Sequence, residues 1–454
     1  MSEVAIPRSS RWRRVRYLAV PLLAVGAGIG LDWSLGPATP GIASAAEWGA
    51  AGYGPASFTE AMTRADAQLY AGRERLRMGP TEWLRQESLA HALIARSRLS
   101  ANYDDLAEAA RVIAGAQEAA PANAGPSLTA AVVAMMTHRL DRSEAALATF
   151  DRSVAVPDAA ERAEAAALRG DIAFYRGDLA AAGKWYDRAA RTEPGAGIAY
   201  RRANLAKATG RFDDAIRAFQ SAGSTPRKSA PFQHASTAFQ IGAVEQARGN
   251  YAVAADWFAA ADHQFPGFWL FEAHRAQSLA LAGDLPGGIA AMRKVAQKAP
   301  SAEVLDALAM LLRADGQVAE SRQWAGRAGA SWARRLKQAP EAAYAHALEH
   351  ELVFGSPARA MDLARANLAA RPFGESRVLL ASALMMEGQL TGALHQLQLA
   401  EDSGWRSAQL YALRAQALEL AGRAAEAPAA RKAALALNPR IFDSATALVW
   451  LSHG

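Results

Sequence analysis

The chain contains no cysteine. That excludes disulfides, thiolate zinc sites, iron–sulfur clusters and a lipid-anchor cysteine. A cysteine-free chain also avoids oxidative mispairing, so it is compatible with an oxidising compartment. β-Branched residues are sparse and no convincing strand can be traced, which leaves no place for a phosphate-cradling glycine loop after a strand. Charge of one sign is scarce as well. The formal net charge is +6, and five arginines (Arg8, Arg11, Arg13, Arg14, Arg16) stand in the first 45 residues against Glu3 and Asp32. Without that segment, +6 less +3 leaves +3 over more than 400 residues, which is no footprint for nucleic acid.

What is present is alanine-rich and apolar. Hydrophobic residues make up 51% of the 454, enough to bury a continuous core. Alanine costs no side-chain entropy in a helix and lets neighbouring helices approach closely. The composition therefore points to packed helices.

The N-terminus reads as an address. Basic residues Arg11 to Arg16 lead into an apolar run from Tyr17 to Leu31 that contains Pro21, Gly26, Gly28 and Gly30. A spanning helix needs roughly 20 apolar residues, so this run is short for an anchor and suits a signal sequence. Ala43-Ser44-Ala45 has the small-x-small form that a signal peptidase accepts, which places the mature start at Ala46. Residues 1–45 are thus expected to be a signal peptide, with an uncleaved membrane anchor as the alternative. Residues 46–57, which contain Gly, Ala and Pro, read as a flexible lead-in.

The body repeats itself. Gly177-Asp178-Leu179 is echoed at Gly210-Arg211-Phe212, Gly249-Asn250-Tyr251, Gly283-Asp284-Leu285, Gly316-Gln317-Val318, Gly388-Gln389-Leu390 and Gly422-Arg423-Ala424, with Gly355 a weaker member. The successive intervals are 33, 39, 34, 33, 39, 33 and 34 residues, close to a helix–turn–helix period of about 34. The two longer intervals carry extra residues near Ser221–Pro231 and Ser331–Pro340. Each glycine falls where one helix ends and the next begins, a position glycine closes in the left-handed conformation. A small residue follows (Ala182, Ala215, Ala254, Ala393), then a large one four further on (Tyr186, Phe219, Phe258, Leu397). Prolines at 194, 226, 266, 300, 372 and 439 block continuation of the second helices.

This pattern resembles the tetratricopeptide repeat family over roughly residues 163–440. The best-matching units run through Gly170, Gly177, Ala182, Tyr186, Ala189 and Pro194, and through Gly242, Gly249, Tyr251, Ala254, Phe258, Ala261 and Pro266. Gly288 and Ser321 depart from the usual small alanine. The resemblance implies an all-α, right-handed superhelical solenoid of stacked helix–turn–helix units that binds other proteins or peptides in a concave groove. Residues 58–162 form an N-terminal helical region with degenerate repeats, at Asn102-Tyr103-Asp104 and Leu140-Asp141-Arg142. Residues 441–454 are expected to end in a cap helix.

In this family the groove is lined by one face of each first helix. Residues ten, six and three before each turn glycine share such a face. The candidates for a peptide-binding groove are Phe174, Tyr200, Asn204, Lys207, Phe239, Gln246 and Gln277. Side-chain amides can pair with both a backbone N–H and a C=O of a guest chain, and aromatics add contact area at small entropic cost. The bland alternative is a set of solvated groove residues with some aromatics packed between helices. His346 and His350 stand four apart on one helix, but Ala347 occupies the place where a zinc-protease pattern requires Glu. They read as exposed helical histidines, and no metal, cofactor or catalytic group is expected. The sequence thus describes an exported, non-enzymatic scaffold or adaptor in the periplasm or cell envelope. An accessory enzyme subunit or a small-ligand- or metal-binding protein using the same groove, and a structural spacer, are the alternatives.

Overall fold

The computed structural model describes residues 44–49, 53–223 and 230–451. Residues 1–43 of the expected signal segment, and much of the insertion near Ser221–Pro231, lie outside these residues. The described residues contain twenty-one α-helices and no strand.

A single helix, α1 (Phe58–Met78), precedes ten antiparallel pairs in chain order. They are α2–α3 (Trp83–Ser100, Tyr103–Ala119), α4–α5 (Ser127–Met136, Leu140–Phe150) and α6–α7 (Ala159–Tyr175, Leu179–Thr192). Next come α8–α9 (Ala196–Ala208, Phe212–Gly223), α10–α11 (Pro231–Ala247, Tyr251–Gln264) and α12–α13 (Trp269–Leu281, Leu285–Lys298). The series ends with α14–α15 (Ala302–Ala314, Val318–Gln338), α16–α17 (Pro340–Phe354, Pro357–Ala370), α18–α19 (Gly374–Met386, Leu390–Asp402) and α20–α21 (Ala408–Leu420, Ala427–Leu437). Each pair also packs on the next, which makes the chain an all-helical solenoid.

Local chemistry sets these boundaries. Asp158 and Glu161 form a reciprocal capping box at the start of α6, and the Asp178 carboxylate accepts from the Ala181 amide to open α7. The turn glycines adopt the left-handed conformation, as at Gly177 and Gly249 (φ 84° in both), whereas Gly355 does not (φ −103°). In the two upstream pairs the left-handed turn residue is Ala101 (φ 52°) or His138 (φ 56°). Helices α7, α11, α13, α17 and α21 each stop two residues before a proline of the series. Within a pair, Gly170 lies beneath the Tyr186 ring, and a Cβ at Gly242 would come within 2.7 Å of Phe258. The small residues Ala182 and Ala254 beside those rings are fully buried.

The solenoid also folds back on itself. The Arg406 amide donates to the Ala208 carbonyl at 2.9 Å, the Phe174 and Phe373 rings are 6.0 Å apart, and Asn438 donates to the Ala247 carbonyl at 3.2 Å. Bonds of this kind span 191, 195, 202 and 205 residues of sequence. One superhelical turn therefore takes about 200 residues, or twelve helices, and successive turns touch. A Cβ at Gly177 would come within 2.9 Å of the Pro372 carbonyl, so this glycine serves both its own turn and the approach of the next.

The second insertion lengthens α15 to 21 residues. Its added end reaches back to α3, where the Arg335 guanidinium lies 4.8 Å from the Tyr103 ring centre and Gln338 donates to Asp104 at 2.6 Å.

Two terminal segments differ from expectation. Residues 45–49 are not a free lead-in: Trp48 stacks on His234 at 4.5 Å and meets Trp257 edge-on at 5.5 Å, with Gly223 beneath it. The C-terminal segment has no cap helix up to Leu451, only a five-residue 3-10 turn at Ser444–Leu448. Replacing Trp48 with alanine is expected to release the strap without melting the solenoid. Limited proteolysis should then cut within residues 46–57 several-fold faster, with little change in the main thermal transition. An unchanged cleavage rate would show that other contacts hold the strap.

Candidate peptide-binding face

The seven expected groove residues do share a region, but the following superhelical turn covers much of it. Phe174 is buried, with Phe373 and Trp405 6.0 and 6.2 Å from its ring. Phe239 is buried among Phe258, Phe271 and His274, and Tyr200 packs edge-on against Phe219 at 5.0 Å. Phe174 and Phe239 pack helices together and offer no open surface to a guest, whereas Tyr200 keeps part of its surface exposed. For Phe174 and Phe239 that corrects the expectation of an aromatic groove lining: Phe373 and Trp405 of the next superhelical turn cover Phe174, and rings of the adjacent helices enclose Phe239.

The amides behave differently. Gln246 on α10 and Gln277 on α12 are 2% and 1% exposed, and both bond to the backbone of the chain's own Trp450–Leu451. The expected chemistry, a side-chain amide pairing with backbone N–H and C=O, is present, with the guest supplied by the same chain. Asn204 on α8 is also buried, yet among the described residues neither its Oδ1 nor its Nδ2 finds a partner. An unpaired buried amide costs about 1–3 kcal/mol. Asn204→Leu is therefore expected to leave the thermal midpoint unchanged or raise it. A fall of several degrees would mean that Asn204 is bonded in solution.

Lys207 faces a carboxylate from the next turn. Burial lowers its pKa to about 8 against the opposing pull of Glu375, and burial raises Glu375 to about 8 against Arg371 and Lys207. Arg371, just after α17, is itself buried, donates to Asn367 at 3.0 Å and lies 5.4 Å from the Tyr175 ring centre. Glu349 on α16 is held well above its ordinary value by burial and then by Glu375, Asp306 and Glu303. The interior thus carries a chain of ionisable groups outside the seven groove positions. Arg371 and Glu375 bracket Pro372-Phe373-Gly374 at the repeat's terminal proline, so charged residues on both sides of that turn were the signal available in the sequence.

The two histidines are not exposed, contrary to expectation. His350 is buried, its Nδ1 2.7 Å from Asp306 Oδ1, and Trp332 Nε1 donates to the other oxygen of that carboxylate at 2.8 Å. His346 is half-buried, stacked over Trp332 at 5.7 Å and 3.1 Å from Glu349 Oε2. His350 thus bonds across to α14, while His346 bonds within α16 and stacks on α15. Among the described residues no group of three or more His, Asp or Glu side chains is placed to hold a metal ion.

The geometry defines a helical-repeat solenoid whose first-helix face holds an extended backbone. No family model matches the chain, and no curated protein matches it. Among solved structures the chain is similar to a tetratricopeptide repeat protein from Parabacteroides merdae, at 14% identity and a TM-score of 0.35. That match covers 56% of this chain and 98% of the other.

Proposed function

We propose that the protein is an exported scaffold or adaptor that recognises partner proteins through extended segments laid against its first helices. The observation that supports this most directly is the pair Gln246 and Gln277, whose side-chain amides hold a peptide backbone by four hydrogen bonds. Stacked helical repeats offer an extended surface for this kind of contact. Export is supported by the Arg11–Arg16 cluster, the short apolar run and Ala43-Ser44-Ala45. Among the described residues, no helix is long and apolar enough to cross a membrane.

Affinity capture of the full chain from its native host, compared with a Gln246→Ala/Gln277→Ala variant, tests the binding role. A reproducible partner lost only in the folded variant supports the reading and locates the face. A partner retained by the variant would move the site, with residues 58–162 next to be tested. No reproducible partner would overturn the scaffold role. N-terminal sequencing of the chain recovered from the envelope fraction tests export, with Ala46 as the expected first residue.

A further inference from the structure

The last described residues are held differently from the helices around them. After α21 ends at Leu437 the chain makes its 3-10 turn at Ser444–Leu448 and then runs extended from Val449. Gln277 Oε1 accepts from the amides of Trp450 and Leu451 at 2.8 and 2.7 Å, and its Nε2 donates to the Leu451 carbonyl at 2.7 Å. Gln246 Nε2 donates to the same carbonyl at 2.8 Å, and Gln277 Nε2 lies 3.2 Å from Gln246 Oε1, so the two amides orient each other. These bonds reach only backbone atoms, so any extended dipeptide could make them. Side chains add selectivity: the Trp450 ring lies 5.9 Å from Phe354, and Leu451 has no exposed surface.

The chain leading to this dipeptide is thinly anchored. Phe442, Asp443 and Ser444 are exposed, and the fixed points before the dipeptide are Arg440 over the Tyr251 ring, Ile441, Leu448 and Thr446, the last 2.7 Å from the Tyr251 hydroxyl. This irregular segment contributes no α-helix to the array and opens more readily than the helices beneath it. The amides beneath it are rooted in α10 and α12, inside the solenoid, and stay in place when it opens.

We propose that Gln246 and Gln277 form a peptide clamp occupied in cis by Trp450–Leu451, and that a partner protein presenting an extended aromatic–aliphatic dipeptide exchanges with it. This rests on the protein-binding reading above and adds the recognition element. The tethered resident has an effective concentration on the order of millimolar, so a partner competes well only when it brings further contacts or the tail is weakened.

The test is fluorescence polarisation of a labelled peptide with the sequence of residues 440–451, titrated with the full chain. Wild type is expected to bind weakly, and a Trp450→Ala/Leu451→Ala variant at least about tenfold more tightly, because its own tail no longer competes. Adding Gln277→Leu should abolish that gain. Equal affinities for wild type and tail variant, both folded by circular dichroism, would overturn the proposal, as would a gain that survives Gln277→Leu. Hydrogen exchange on the unmodified protein gives a check that needs no variant. Trp450 and Leu451 amides exchanging faster than the interior of α12 support exchange of the tail, and equal protection overturns it. A dimer by sedimentation that the peptide dissociates would assign the site to a second copy and overturn the partner reading. A failed titration with host partners still captured overturns the clamp and leaves the scaffold reading standing.

Discussion

Asp171→Ala is expected to destabilise the protein by about 3–5 kcal/mol, the cost of removing one member of a buried ion pair. Asp171 on α6 is 1% exposed, and its carboxylate accepts from Arg201 Nε at 2.9 and 3.1 Å and from the Tyr186 hydroxyl at 2.9 Å. Arg201 on α8 also donates to Glu164 at 2.7 and 3.1 Å. Without Asp171, that guanidinium stays buried with Glu164 as its remaining carboxylate, and Glu164 also faces Arg98. Asp171→Asn keeps the shape and an acceptor but not the charge, so its loss should be smaller. Glu164→Gln should cost least of the three, because the Glu164 side chain is 15% exposed. Urea denaturation followed by circular dichroism checks the order. A loss below about 1 kcal/mol for Asp171→Ala would show that Arg201 finds another buried partner or reaches water.

The manner of unfolding carries further information. An open repeat array is held by nearest-neighbour contacts, so a weakened interface can split its transition in two. Here Asp171, Tyr186 and Arg201 join α6–α7 to α8, while Phe174, one helical turn along, touches Phe373 and Trp405 of the next superhelical turn. Those second contacts couple units about 200 residues apart. The Asp171→Ala transition is therefore expected to stay single, with a lowered midpoint.

The same coupling separates what was legible in the sequence from what was not. Turn glycines, second-helix alanines and terminal prolines act within one unit, and their spacing located α6 to α21 because glycine and proline have fixed local consequences. The upstream pairs were fainter because Ala101 and His138 take the left-handed turn where glycine was the marker. The stripe through Phe174, Tyr200 and Phe239 follows helical spacing within each first helix. Whether that face meets solvent depends on the superhelical pitch, which no single repeat encodes. For the same reason His346 and His350 read as exposed. Their burial comes from Trp332 and Asp306 on the neighbouring pair, in the stretch where α15 is lengthened. The amide chemistry at Gln246 and Gln277 was legible because it is a property of the residue type, but the identity of the guest was not.

The second large effect is a pH dependence carried by Glu375. Burial raises its folded-state pKa from the ordinary 4.5 to about 8, with Arg371 and Lys207 pulling the other way. Between those two values the folded protein holds a proton that the unfolded chain has released. Stability from this group is therefore fully present below about pH 4.5 and is lost as pH rises through about 8. The full swing is on the order of 3–5 kcal/mol at about 1.4 kcal/mol per pKa unit. Glu375→Gln removes this titration. The variant's thermal midpoint minus that of wild type should therefore grow from pH 5 to pH 8.5. Lys207 works in the opposite sense. Its folded pKa of about 8 lies below the ordinary 10.5, so its contribution strengthens as pH climbs between them. A Glu375→Gln/Lys207→Met double variant should consequently show the flattest profile above pH 5. A difference between Glu375→Gln and wild type that stays constant with pH would mean that Glu375 is already ionised at pH 5, paired with Arg371 as a buried salt bridge.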